Sequence, residues 1–289
     1  MKNTSRILVF AIAAICGAQV LAAGSPWLPA PQGGNVSVAY VSQEATEFFR
    51  QTSKVPTPGG GHELSQSTFW VSGTYGISDA VAFDFQLGRA ESSYATGVGL
   101  PPSRANISDL TDINLGVTWR VVDEVVNPEM PSIALRAGLI RAGNYETGLI
   151  NSIGDGGDGF EFSAMAGKFV TDRFALSGEI GYRDRDSDTH DIPANWFYRF
   201  RAGYFLSNQV SLSLNYDIED ATSGLNIGIP PFSPARFPDL EEDIHLLGPA
   251  INFVVSDEIN VSASYARVID GRNTAASDVF GISLNYSFF

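Results

Sequence analysis

The chain has 289 residues, 44% of them apolar and 17% charged, with a formal charge of −14 and one cysteine. The acidic excess excludes nucleic acid as a partner, because phosphate backbones are met by Lys and Arg. One cysteine excludes a disulfide framework, and no run beyond residue 23 approaches the roughly 20 apolar residues of a membrane-spanning helix.

The chain opens on a short basic stretch, Met1-Lys2-Asn3-Thr4-Ser5-Arg6, followed by an apolar run from Ile7 to Ala18 and small residues at Ala22-Ala23. This order predicts a signal peptide over 1–23, cleaved after Ala23 so that the mature chain starts at Gly24. Cys16 leaves with it, since the bulky Ile15 before it does not suit a lipidation site. An exported chain with no helical anchor resides in the periplasm, the medium or the outer membrane. Residues 24–34 then form a Pro/Gly-rich N-terminal segment.

From Asn35 onward the apolar period is two. Val81, Phe83, Phe85 and Leu87 alternate with Ala82, Asp84, Gln86 and Gly88; Val210, Leu212, Leu214, Tyr216 and Ile218 alternate with Ser211, Ser213, Asn215, Asp217 and Glu219. Such alternation predicts strands with one greasy and one polar face. Twelve runs of this kind cover 35–48, 64–76, 81–91, 109–122, 132–142, 159–170, 174–185, 195–206, 210–220, 243–255, 259–268 and 278–289. Most are about ten residues long or more, as a tilted bilayer-crossing strand requires. Strands in soluble proteins are typically about 5–6 residues.

The connections alternate. Ile77-Ser78-Asp79-Ala80, Thr171-Asp172-Arg173, Ser207-Asn208-Gln209 and Ser256-Asp257-Glu258 are tight, whereas 51–63, 92–108, 143–158, 186–194 and 221–242 are long and rich in Gly, Pro and Asp. Residues 123–131 are longer than their short class. Short periplasmic turns against long outer loops mark outer-membrane barrels. Trp119, Tyr198, Tyr204, Tyr265 and Tyr286 fall on the outward stripe, where interfacial aromatics belong. The last run carries Phe280, Ile282, Leu284, Tyr286 and Phe288, an alternating stripe similar to the C-terminal signal of outer-membrane proteins, with Phe289 one residue beyond it. The expectation is an all-β fold: a transmembrane antiparallel up-and-down β-barrel of about twelve strands over 35–289.

Asp112-Ile113-Asn114-Leu115-Gly116, Ala134-Leu135-Arg136-Ala137-Gly138-Leu139, Gly154-Asp155-Gly156 and Gly181-Tyr182-Arg183 resemble the central part of a family of outer-membrane transporters named for the meta-pathway of phenol degradation. The resemblance spans 109–185; where that family often has Pro-Thr-Gly, this chain has Arg141-Ala142-Gly143. It implies a passive transporter for small aromatic or apolar compounds and supplies no catalytic or binding residues.

Strand parity turns Asp84, Asp112, Arg136, Glu161, Glu179, Arg183, Arg199, Arg201, Asp217 and Glu219 toward the lumen as candidate pore-lining residues. Folding hairpins about Asp172 and Asn208 sets Glu161 opposite Arg183 and Arg199 opposite Asp217. Opposite charges across strands attract. They would build either a selectivity filter or an ion-pair lattice that fills the interior. Barrels of about eight strands are filled by side chains and those of about sixteen leave a channel; twelve lies between.

An enzyme reading has little to stand on. Asp188-Thr189-His190 resembles the acid–histidine pair of omptin proteases, yet those have ten strands and a second acidic pair with no counterpart here. The His-x-Ser arrangement of outer-membrane phospholipase A is absent from the sequence. His62 and His245 stand in no catalytic pattern. Gly154-Asp155-Gly156-Gly157-Asp158-Gly159 lacks the oxygen ligands of a calcium loop and reads as a hairpin tip. The segment from Gly224 to Asp243 holds four prolines together with Leu225, Ile227, Ile229, Phe232 and Phe237. It either folds over the barrel mouth, meeting Trp196 and Phe197, or packs outside it. No cofactor or metal is expected. The expected partners are outer-membrane lipid and lipopolysaccharide, a small-molecule solute, and the barrel-assembly machinery acting on the C-terminal strand. The functional expectation is a passive channel, with a non-conducting structural or adhesive barrel bearing acidic loops as the alternative.

Overall fold

The structure, a computed structural model, describes residues 24–95 and 104–289. The expected signal peptide and part of the 92–108 connection lie outside the described residues. In chain order the strands are β1 (Gly34–Ala45), β2 (Glu47–Arg50), β3 (Ser53–Pro56), β4 (Leu64–Ser78), β5 (Val81–Ser93), β6 (Asn106–Leu110), β7 (Ile113–Val122) and β8 (Ser132–Arg141). They continue with β9 (Asp158–Thr171), β10 (Phe174–Asp186), β11 (Asn195–Phe205), β12 (Val210–Ala221), β13 (Asp243–Val254), β14 (Ile259–Arg272) and β15 (Asp278–Phe288).

These strands close into a twelve-stave antiparallel barrel. β1 seals it by pairing with β4 on one side and β15 on the other, Gly34 facing both Tyr75 and Phe288. Closure matters physically: an open edge would leave bare amides in hydrocarbon. β6 and β7 share one stave, because β5 pairs with β7 along Val81–Gln86 and with β6 along Arg89–Ser93. The short turns, Gly34 and Phe288 gather at one end, which the turn-length rule assigns to the periplasm.

Each run expected from the sequence is a stave, with two differences. The run expected over 35–48 leaves the wall after Ala45, and Glu47–Arg50 instead pairs with Ser53–Pro56 in a separate hairpin. The cause is burial: Phe49 packs with Val268, Ala276, Ile244 and Leu246 inside the outer mouth. The run over 109–122 is interrupted at Thr111-Asp112, where the Asp112 carboxylate turns to accept the Tyr145 hydroxyl and the Gly143 amide.

Parity follows the sequence. Leu115, Val117, Trp119, Leu212, Leu214, Ile282, Leu284 and Tyr286 are exposed on the outside. Their alternates Thr118, Ser211, Ser283 and Asn285 are buried. A continuous apolar band of this size is a lipid-facing surface.

Candidate functional site

A ladder of charges crosses one half of the lumen. Arg136 on β8 is its centre, with a side chain 1% exposed. Its guanidinium donates to Asp84 on β5 at 2.6 Å, to the Asn114 amide oxygen at 2.8 Å, and to Glu161 on β9. It lies flat over Gly116, whose missing β-carbon leaves the space it fills. Glu161 also accepts from Arg183 at 3.1 Å, and Arg183 reaches Glu219 at 3.3 Å. A buried charge persists only when partnered, and here Glu161 is shared between Arg136 and Arg183.

The ladder continues on β10–β12. Arg199 donates to Glu179 at 3.0 Å and Arg201 to Asp217 at 2.5 Å. Phe197, 1% exposed, lies between the Arg183 and Arg199 guanidiniums at 5.3 and 4.7 Å from its ring centre. Rings that face guanidiniums stabilise desolvated charge. The wall of β13–β15, with the turn-proximal end of β12, is different: Ser211, Asn252, Asn260, Ser262, Ser283 and Asn285 are buried there, short and uncharged. One half of the lumen is therefore charged and the other neutral and polar.

The N-terminal segment occupies the space between them. Trp27 is 3% exposed, and its indole nitrogen donates to Glu124 at 2.6 Å. Its ring meets Phe169 at 5.4 Å and rests on Gly167, where a β-carbon would collide with it. Glu124 is held by the Phe169 amide at 3.0 Å and stands 3.7 Å from Lys168. Main-chain bonds Gln32 N–H to Gly76 O and Gly76 N–H to Gly33 O, at 2.8 and 2.9 Å, tie the strap to the barrel rim. Between strap and wall remains a cavity of about 90 Å³, lined by Pro26, Trp27, Leu28 and Met165 of strap and wall, by the neutral Asn35, Ser37, Ser72, Thr74 and Asn285, and by Asp84, Glu179, Arg199 and Arg201 of the ladder.

At the opposite end the 222–242 connection folds over the mouth. Its 3-10 turn, Pro234–Asp239, buries Asp239, which accepts from Arg236 at 2.6 Å and from the Asp191 amide at 3.2 Å. His190 Nδ1 lies 3.3 Å from Asp239, and His190 Nε2 lies 3.2 Å from Thr147. Asn273, with φ 51°, donates to Glu241 O at 2.7 Å and accepts the amides of Gln51 and Ile227 at 3.0 and 3.1 Å. Beneath this cap a cavity of about 120 Å³ is lined by Phe237, Pro238, Leu240 and Glu242 together with Arg183 and Glu219 of the ladder.

Burial, and then the nearby Asp155 and Glu219 carboxylates, push Glu242 from 4.5 up to about 7 against the opposing effects of Thr274 and Arg185. A carboxyl whose pKa is raised in the folded state favours that state when protonated. Its contribution is full below about pH 4 and is lost as pH rises through about 7. The temperature at which the folded form unfolds on gels, recorded across pH 4 to 8, should therefore fall as pH rises, and Glu242→Gln should flatten the profile.

The structure brings nine of the ten candidate lumen residues into the ladder. Asp112 lies instead at the outer rim and tethers the loop that carries Tyr145. Glu161 faces Arg183 and Arg199 faces Asp217 in register, as expected. The bonded partner of Arg199 is nevertheless Glu179, while Asp217 takes Arg201. The cap does cover the mouth, but Trp196 points outward, edge-on to Tyr182 at 5.3 Å, and Phe197 is enclosed by arginines. Asp155 pairs with Arg185 at 2.8 Å, and His190 pairs with Asp239 rather than with Asp188. Sequence reasoning missed Trp27 and Glu124. The unusual length of the 123–131 turn was the one local signal.

Comparison with known proteins follows the same line. No curated protein sequence matches this one. Among solved structures, the COG4313 outer membrane channel from Pseudomonas putida F1 is similar with a TM-score of 0.73 at 12% identity, over 92% of this chain and 100% of that one. The translocator domain of the autotransporter NalP from Neisseria meningitidis is similar with a TM-score of 0.50 at 13% identity, over 99% of this chain and 95% of that one. These likenesses show the outer-membrane β-barrel fold. The family described as "Putative MetA-pathway of phenol degradation" matches residues 60–284, and the chain belongs to that family.

Proposed function

We propose that the protein is a passive outer-membrane channel for small solutes, closed at rest by its own N-terminal strap and opened when the strap moves aside. The observation that carries this reading is the cavity between strap and wall. It holds about 90 Å³, less than the ~150 Å³ that accommodates benzene in an engineered apolar cavity. A ring would therefore need the strap to move before it could enter.

The cavity has an apolar side in Pro26, Trp27, Leu28 and Met165, a hydrogen-bonding side in Ser37, Ser72, Thr74 and Asn285, and the charged Asp84, Glu179, Arg199 and Arg201 of the ladder along its edge. That lining suits a small aromatic solute that carries a polar group. The family's description, which names phenol degradation, supports the same class. Outer-membrane lipid and lipopolysaccharide would cover the apolar band. The barrel-assembly machinery would read the stripe from Phe280 to Phe288.

Single-channel recording in planar bilayers tests this. Small discrete current steps are expected, interrupted when a neutral aromatic such as phenol is added. A correctly folded protein without steps under any condition would instead be a non-conducting structural or adhesive barrel, the role its ion-pair lattice would also serve.

A further inference from the structure

The lumen ladder is one cation short. Arg136, Arg183, Arg199 and Arg201 face five carboxylates, those of Asp84, Glu161, Glu179, Asp217 and Glu219. Glu179 is where a carboxylate oxygen is left over, beside Arg201, whose Nε also has no partner among the described residues. The Glu179 Oε2 accepts from Arg199 at 3.0 Å, but its Oε1 is buried with no hydrogen-bond partner among the described residues. The side chain is 8% exposed, and a buried carboxylate oxygen without a donor is strongly unfavourable.

The nearest end of the strap supplies the candidate. Met165 is the cross-strand neighbour of Glu179. Gly24 packs on the Met165 thioether and on the Arg136 methylenes, so closely that a β-carbon at Gly24 would stand 3.0 Å from the sulfur and 2.9 Å from Arg136 Cδ. Its φ of +90° likewise suits glycine. Gly24 and Glu179 line the same cavity.

We propose that the missing cation is the α-ammonium of Gly24, made by signal-peptide cleavage and docked against Glu179 inside the lumen. The chemistry balances. With a signal peptidase as catalyst, water adds across the Ala23–Gly24 amide. The acyl half leaves as the Ala23 carboxylate, and the amine half takes up a proton to become the Gly24 ammonium. Before cleavage the same nitrogen is a neutral amide and can neither balance the ladder nor offer three donors. Processing thus completes the charge network of the pore, and the strap seats fully only in the mature chain. A charge-assisted bond of this kind is about twice as strong as a neutral one.

The test follows the amine. Mass analysis of protein from outer membranes should give Gly24 as the first residue. Folded protein exposed to an acetylating reagent should acetylate Gly24 at least tenfold more slowly than boiled protein does, while the exposed Lys54 reacts readily in both. Glu179→Gln should raise Gly24 labelling several-fold, with Glu179→Asp intermediate. Two residues inserted between Ala23 and Gly24, which keep an ammonium but displace it, should also raise labelling. A different first residue, or equal labelling in folded and boiled protein, overturns the proposal. Protection that persists unchanged in Glu179→Gln and Glu179→Asp also overturns it, because the strap alone would then shield the amine.

Discussion

Replacing Arg136 by methionine should destabilise the barrel by about 3–5 kcal/mol, the range for removing one partner of a buried ion pair. The reason is the number of groups left behind. Asp84 and Glu161, both nearly inaccessible, lose their central cation together, and Asn114 loses a donor. Methionine fills much of the volume above Gly116, so the loss is electrostatic rather than a cavity. The measurement is the temperature at which the compact, fast-migrating form on gels converts to the unfolded form. Adding Asp84→Asn and Glu161→Gln to Arg136→Met should recover a large part of the loss, since replacing all members of a buried network is far milder than removing one. Arg141→Met offers the contrast: its pair with Asp158 is 77% and 45% exposed, and such pairs contribute little. If Arg136→Met melted with Arg141→Met, the ladder would be ornament on a barrel held by its backbone.

The staves were legible because period-two alternation is a local signal repeated over ten residues. The pairing of Glu161 with Arg183 was legible too, because a tight turn at Asp172 fixes register and register fixes neighbours. What a hairpin cannot fix is which of several charges within reach a long side chain selects. Arg199 lies in register with Glu179 on one side and Asp217 on the other, and it bonds Glu179 while Arg201 takes Asp217. That choice belongs to the three-dimensional lattice. Parity read strictly would have turned Trp196 outward with Tyr198; the expectation that it met the cap ignored the period that had found the strand. The strap was illegible for a different reason. Trp27 and Glu124 are 97 residues apart, and neither sits in a repeating pattern. A Pro/Gly-rich segment before a barrel reads as a linker until the lumen that receives it is seen.

Deleting residues 25–32 should open the channel. The polar hold on the strap centres on the Trp27–Glu124 bond and two main-chain bonds at Gly76, with the ring of Trp27 packed on Phe169 and Gly167. Truncating a buried tryptophan typically costs about 3–5 kcal/mol, which shifts a two-state closed-to-open ratio by roughly two to four orders of magnitude. Trp27→Ala should therefore convert a channel of brief openings into one that stays open, and the deletion should do so completely while raising the unit conductance. Trp27→Phe, which keeps a ring and loses the donor to Glu124, should fall between wild type and Trp27→Ala. Glu124→Gln should behave like Trp27→Phe, because it weakens the same bond from the other side. The readings are unit conductance and open probability in planar bilayers, with gel mobility before and after boiling to confirm that each variant is a folded barrel. A folded deletion variant with wild-type conductance would mean that the strap does not set the constriction. The resistance would then lie at the outer mouth, where Phe237, Pro238 and Leu240 cover Arg183 and Glu219.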